Sequence, residues 1–337
     1  MAAVKITRGA MKYLHVTELD GRYLGELRET GVPVPGTGEV LLRVTASGVN
    51  RADLSQIAGR YPPPPGESQI LGLEASGTVE GTSDPVCALL AGGGHAEYVA
   101  VPQGQLIPAP PRLELVSAAG IPEAFLTAFV SLVVEGGLTP GINVLIHAGA
   151  SGVGLAAIQM ARLLGARAAA TTRTPDKLAA LAAAGADLAI HNAGQGVGVG
   201  VGVVAEVERH WGTNAVHLIL DPIGAATLAD DLTLLAPGGR IICLATMGGA
   251  RADIELPLLL KKRARLIGST VRARSRAEKA ALITRFRAEI LPAFATGALG
   301  VTVDSVLPPA RAAEAFERMR HNRNVGKILI DWRPQAR

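Results

Sequence analysis

Aromatic residues make up only 3% of the chain. Sites for single-stranded nucleic acid stack bases on aromatic rings, so that class of partner is disfavoured at the outset. Cysteine is scarcer still. Cys87 and Cys243 stand far apart, which excludes a disulfide framework or a C-x-x-C metal pair and suits a reducing compartment, the cytoplasm. His15, His95, His147, His191, His210, His217 and His321 show no paired spacing, so no metal is expected. Residues Met1 to Lys12 lack the apolar stretch of a secretory signal, while the bases before Glu18 leave an organellar presequence open. Residues 136–161 contain no Asp, Glu, Lys or Arg, yet Pro140, His147 and several glycines interrupt them, so a membrane span is not expected. The net charge of +4 is small for this length and does not demand a polyanionic partner. Ser151 does not sit in G-x-S-x-G, which argues against a serine hydrolase.

What is present is a 337-residue chain, long enough for two domains, with 48% hydrophobic and 18% charged residues, a globular balance. Its organising stretch is His147-Ala148-Gly149-Ala150-Ser151-Gly152-Val153-Gly154. The apolar run Asn143 to Ile146 precedes it, and Leu155 to Leu164, free of proline and interior glycine, follows it. Strand, glycine turn and helix are the implied elements. Glycines 149, 152 and 154 allow a tight turn and close approach of a ligand, and the helix start offers free N–H groups to a pyrophosphate. The spacing G-x-x-G-x-G departs from the common dinucleotide fingerprint, so an empty packing turn is the alternative.

From Asn143 onward, strands are expected at 143–148, 167–171, 188–191, 216–221, 240–245 and 265–270. Helices are expected at 152–164, 175–184, about 203–211, 225–235 and about 255–262. The alternation indicates a doubly wound parallel sheet. Thr174, Pro175 and Gly185 read as the cap, first residue and terminator of the second helix. Residues 1–130 read as mostly β, with strands at 39–47, 71–80 and 96–101 and a short helical piece at 50–58. Pro62 to Pro65 stiffen a loop, with a proline-rich partner motif as the alternative, and Pro122 to Glu135 reads as helix. The low-complexity run Gly196 to Val204 reads as a variable surface connection or a ragged strand. Helices at about 276–297 and 308–320 and a strand at 327–331 suggest a return to the first domain. The implied division is 1–128 and 275–337 as one domain and 129–274 as the other.

The end of the second strand decides the cofactor. A sheet that binds NAD offers an acid there to the ribose 2′-hydroxyl. Here the chain reads Thr171-Thr172-Arg173-Thr174, with Lys177 one helical turn on. A guanidinium, an ammonium and hydroxyls suit a 2′-phosphate, so NADPH is expected; a solvated helix start is the alternative. Ser151 reads as a helix cap that touches the cofactor. Tyr61, beside the rigid proline loop, is a candidate proton donor. Asn50, Arg51 and Asp53 form a polar group in which Arg51 and Asp53 read as a local ion pair. The basic run Lys261 to Arg265, with Arg272, Arg274 and Arg276, reads as a solvated helix end and phosphate-side loop, with a nucleic-acid patch as the alternative.

These residues together resemble a known family, the zinc-independent quinone oxidoreductases of the medium-chain dehydrogenase/reductase superfamily. The likeness is strongest to the group that includes the p53-inducible animal enzymes. The matching segments include Ser47 to Leu54, Tyr61 to Gly66, Leu71 to Gly77, Leu89 to Gly94, Ile121 to Ala128, His147 to Gly154 and Asn324 to Ile328. The resemblance implies a GroES-like catalytic domain built from both chain ends, a Rossmann domain between them, and a homodimer that reduces quinones or related conjugated carbonyls with NADPH. Zinc-dependent relatives carry a Cys near position 50 and a His in Gly-His-Glu; Asn50 and Leu73 stand there here. By motif match, Asn50 and Thr127 lie near the nicotinamide, and Gly149, Ser151, Gly152 and Val153 near the pyrophosphate. Arg173, Lys177 and Asn192 lie near the 2′-phosphate, Met247, Asn324 and Lys327 close over the nicotinamide half, and Tyr61 lines the substrate cleft. Asn50 and Ser151 join Tyr61 as the catalytic candidates. Asn192 departs from the Tyr common at its position. The 79–86 loop is shorter than the resemblance implies, and 12–34 is unusual. An enoyl-thioester reductase of the same superfamily, and a non-enzymatic or RNA-binding relative that keeps the cofactor fold, are the competing readings.

Overall fold

The computed structural model describes residues 9–192 and 201–334. The chain divides into two compact units, one of Met1–Glu123, Arg272–Ala295 and Val303–Arg337, the other of Ala124–Val271 and Thr296–Thr302.

The second unit is built on a six-stranded parallel sheet. Its strands are Asn143–Ile146, Arg167–Thr172, Leu188–His191, Val216–Asp221, Leu235–Cys243 and Arg265–Gly268. In space they run third, second, first, fourth, fifth, sixth, the order of a doubly wound dinucleotide-binding sheet. Val144, Leu145, Ile146, Ala168, Ala169 and Ala170 are fully buried, as expected of strands covered on both faces. The first strand pairs with the second on one side and the fourth on the other. The chain therefore reverses its winding at the end of the 143–146 strand. An open sheet of this kind leaves a crevice at that point, outside the carboxyl ends of its strands.

Helices follow where expected, with three differences. The 175–184 segment opens as a 3-10 turn, Pro175–Lys177, before the α-helix Leu178–Ala183, and Gly185 ends it at φ +99°. The 122–135 segment is α-helical over Pro122–Phe129 and then widens to a π-helix over Val130–Glu135. Residues 196–200 lie outside the described residues. Val201 begins the helix Val201–Trp211, so this end of the low-complexity run is neither strand nor loop. Val203 and Val207, four apart on one face, supply the reason: both are buried against the sheet.

The first unit holds a mixed sheet. Its path runs Val303–Leu307, Lys327–Asp331, Glu39–Val49, Glu74–Val79, Pro85–Leu89 and Leu106–Pro108, with Tyr98–Pro102 paired to Glu39–Val49. The C-terminal strand thus lies antiparallel beside residues 46–49, which brings the end of the chain to Asn50. The shortened 79–86 loop closes as a tight hairpin. Thr82 bonds back to Val79 by its N–H and its hydroxyl, both at 3.0 Å, and Thr78 stays in register with Pro85. The unusual 12–34 segment is a second hairpin, Ala10–Leu19 with Arg22–Gly31, turning at Asp20 and Gly21 with positive φ. Its Leu14, Val16 and Tyr23 bury against Ala312, Ala315 and Phe316. The expected 276–297 helix is broken by Pro292 into Arg276–Glu289 and Pro292–Thr296.

Candidate active site

The glycine turn is closed by backbone geometry. Ala148 adopts φ +51°, and the Gly149 N–H donates to the Thr171 carbonyl at 2.8 Å. A Cβ on Gly149 would stand 2.9 Å from the Ala170 Cβ, and one on Gly154 would stand 2.6 Å from the carbonyl oxygens of Ala148 and Gly149. Both positions therefore require glycine. Ser151 caps the 12-residue helix Gly152–Leu163: its Oγ accepts the Gly154 N–H at 3.0 Å. The N–H groups of Gly152 and Val153 open that helix and have no acceptor within it. Ser151, Gly152 and Val153 are partly exposed, so these donors and the positive helix end can take an anion.

A buried dyad underpins the turn. His147 Nε2 lies 2.8 Å from Asp231 Oδ1, and its Nδ1 lies 3.1 Å from Thr171 Oγ1. Burial works to lower the His147 pKa, but the Asp231 charge and hydrogen bond more than offset it and leave it raised. Burial pushes Asp231 up to about 6 against the pull of His147. Asp221 and Asp230 add negative charge around the same imidazole. Asp221 is spent as a loop cap, accepting the N–H groups of Ile223 and Gly224.

At the end of the second strand Thr171 and Thr172 are buried and Arg173 is exposed, while Lys177 is only 6% exposed. Arg173 is thus the exposed cation at this strand end, and Lys177 a buried one. Asn192 is partly buried and donates its N–H to the Thr172 carbonyl at 2.8 Å, which places it beside the same strand end. Thr127 is partly buried on the 122–129 helix, and Met247 is 45% exposed after the fifth strand.

In the first unit, Asn50 precedes the short helix Arg51–Ile57 and is partly exposed. Its backbone N–H donates to Asp53 Oδ2 at 2.7 Å, and Asp53 Oδ1 accepts the Gly72 N–H at 3.1 Å. The Asp53 carboxylate therefore serves as a buried cap, and Arg51 reaches across the chain to the Met319 carbonyl at 2.9 Å. His95 Nε2 stands 3.7 Å from Asp53, and its Nδ1 meets Ser47 Oγ at 2.8 Å. The Trp332 indole N–H donates to the same Oγ at 3.0 Å.

Lys327 Nζ, 4% exposed, lies 2.5 Å from Glu74 Oε1 and 2.6 Å from Asn50 Oδ1. Its ammonium is spent within this unit. Glu74 Oε2 accepts the Glu123 N–H at 2.8 Å. Burial, then the Glu74 carboxylate, pushes the partly buried Glu123 up to about 8, against the pull of Lys327. Asn324 is buried and turns its amide N–H back to the Gly326 carbonyl at 2.8 Å.

Tyr61 is partly buried with its ring 5.0 Å from the Arg272 guanidinium. Burial first, and Glu123 next, raise its phenol pKa, with Arg272 opposing. Arg272 is buried and donates to the carbonyls of Ala91 and Tyr61 and to Gln56 Oε1. Lys262 is buried too and donates to the Thr233 carbonyl. The basic run is therefore not a continuous surface patch. Sequence reading gave no role to Glu74, which holds the Asn50 amide, or to Glu123, whose N–H bonds Glu74. The signal available for Glu74 was its place in Gly72-Leu73-Glu74, the counterpart of Gly-His-Glu.

Residues 152–286 match the family model described as Zinc-binding dehydrogenase, and residues 36–111 match the Alcohol dehydrogenase GroES-like domain. The chain is 26% identical to human quinone oxidoreductase over 336 residues, covering 95% of this chain and 97% of that protein. It is 34% identical to the spectinabilin polyketide synthase system protein NorB of Streptomyces orinoci, but spans only 14% of that protein's length. The quinone oxidoreductase of Thermus thermophilus, solved also with NADPH, superposes with a TM-score of 0.81 at 32% identity, over 96% of this chain and all of that one. With the parallel sheet, the mixed sheet and these matches in hand, the chain belongs to the medium-chain dehydrogenase/reductase superfamily, among its quinone-oxidoreductase-like members, with a Rossmann domain and a GroES-like domain.

Proposed function

We propose that the protein reduces quinones or related conjugated carbonyls with NADPH, without zinc, as a cytoplasmic homodimer. The observation that carries this reading is the glycine turn at the winding reversal, followed at the neighbouring strand end by Thr171, Thr172 and exposed Arg173 with no carboxylate among them. The N–H groups of Gly152 and Val153, with Gly149 and Ser151, hold the pyrophosphate. Arg173, backed by Lys177 and Asn192, takes the 2′-phosphate, which a ribose hydroxyl does not replace. Asn50, Thr127, Met247 and Asn324 are assigned to the nicotinamide half, with Lys327 buried behind Asn50 and bonded to it. When bound, NADPH supplies the hydride; the protein's share is binding, orientation and the proton. Tyr61 is assigned as proton donor, since its raised pKa keeps the phenol protonated at neutral pH.

Zinc does not fit the residues present. Position 50 offers an amide already bonded to Lys327 and Glu74, and position 73 offers the buried aliphatic Leu73. Lys327 already occupies the Glu74 carboxylate.

A second reading is enoyl-thioester reduction by the same hydride chemistry, favoured by the identity with a segment of a polyketide synthase protein. NADPH consumption with an ortho-quinone and with a crotonyl thioester separates the two. A larger kcat/KM for the quinone is expected; the reverse order transfers the assignment to the thioester.

A further inference from the structure

The Asn50 carboxamide stands between two groups of unambiguous hydrogen-bonding character. An ammonium only donates, and a carboxylate only accepts. Lys327 Nζ is 2.6 Å from Oδ1, and Glu74 Oε1 is 3.0 Å from Nδ2. Reversing the amide would set N–H against ammonium and carbonyl against carboxylate. The orientation is thus dictated by its neighbours. Both hydrogens of Nδ2 are spent, one on Glu74 and one on the Gly48 carbonyl at 3.2 Å. Oδ1 spends one lone pair on Lys327; its other side faces the Asp53 N–H of the capping box, whose bond goes to the Asn50 backbone carbonyl at 2.9 Å. Lys327 spends its third hydrogen on the Val49 carbonyl at 3.3 Å. Glu74 is anchored on its far side by the Glu123 N–H, and it sits against Gly48, where any Cβ would collide with its carboxylate.

We infer that Glu74 and Lys327 are positioning residues that lock Asn50 as a single hydrogen-bond acceptor, so that the ligand group it recognises is an N–H or O–H donor. Asn50 accordingly does not polarise a quinone carbonyl, because it has no hydrogen left to offer. Given the cofactor proposed above, on which this inference rests, the donor is the carboxamide N–H of the nicotinamide. A hydroxyl of the reduced product offers the same chemistry.

The test is direct binding, by calorimetry, of NADPH and of its acetylpyridine analogue, which keeps the ring and phosphates but lacks the amide N–H. The wild-type protein is expected to bind the analogue roughly tenfold more weakly, the cost of leaving one acceptor unpaired. Glu74→Gln and Lys327→Met free the amide to turn, and the ratio is expected to fall towards one while NADPH still binds through its phosphates. A change that only loosened the fold would weaken both ligands alike and leave the ratio standing. The wild-type comparison needs no variant, so a variant that fails to fold does not remove the test. A second arm compares a hydroquinone with its dimethyl ether as ligands: preference for the hydroquinone, abolished in Asn50→Ala, assigns the acceptor to the product hydroxyl. Equal binding within both pairs overturns the inference. Failure of NADPH to bind at all instead overturns the cofactor reading, and the hydroquinone arm then decides the inference alone.

Discussion

A 2′-phosphate and a 2′-hydroxyl differ by a dianion, and Arg173 is the exposed cation at the strand end proposed to read that difference. A charge-assisted hydrogen bond from a guanidinium to phosphate contributes more than a neutral one, though solvent screens an exposed group. Arg173→Ala is therefore expected to weaken NADPH roughly tenfold and to leave NADH nearly unchanged. Titrating both cofactors into both proteins checks this, and an unchanged preference would remove Arg173 from the site. The place of Arg173 at a strand end and of Asn50 before a short helix was legible in the sequence, because a motif a few positions away fixes it. The engagement of Lys327 was not. Its partners Glu74 and Asn50 lie more than 250 residues earlier, and only the antiparallel pairing of 328–331 with 46–49 brings them together. Sequence reading assigned Lys327 to the cofactor; the structure shows its ammonium committed to Glu74 and Asn50.

The glycine turn joins strand to helix with little room to spare, so its tolerance is set by backbone. A methyl on Gly154 would press on two carbonyl oxygens that cannot move without opening the turn. Gly154→Ala is expected to cost about 1–3 kcal/mol of stability, as overpacked sites do, and to weaken NADPH as the N–H groups of 152 and 153 shift. Thermal unfolding and cofactor titration read the two effects; a variant unchanged in both would mean that the turn is not the anion site. At this scale the parallel sheet was open to reading, since its buried Val, Leu, Ile and Ala runs alternate with apolar-faced helices. The hairpin at 10–31 was overlooked because its strands are polar on the outer face, although Asp20-Gly21 is a hairpin-turn signature. The helix break at Pro292 was visible as a proline but was subordinated to the surrounding periodicity.

For the molecule as a whole, proton linkage runs opposite to common acid unfolding. Asp231 is raised to about 6 and Glu123 to about 8, and His147 is raised as well. Each binds its proton more tightly folded than unfolded, so each favours the folded state at low pH and loses that favour as pH rises through its folded value. Asp304 and Asp331 are depressed, and their contribution is lost only as pH falls below the ordinary carboxylate range. Stability is therefore expected to peak at about pH 4 and to decline towards about pH 8, and Glu123→Gln should flatten the decline. Thermal unfolding across that range decides it; a midpoint that climbs steadily from acid to neutral would contradict these assignments.

This chain is proposed to deliver a hydride from NADPH to a quinone. The most direct test is a single turnover in which NADPH, deuterated at the transferable C4 position and equimolar with the protein, meets an ortho-quinone. NADPH absorbance should decay within one mixing experiment, more slowly for the deuterated than for the ordinary cofactor, with one hydroquinone formed per NADPH lost. NADPH that binds yet persists unchanged in the presence of the quinone would contradict the claim.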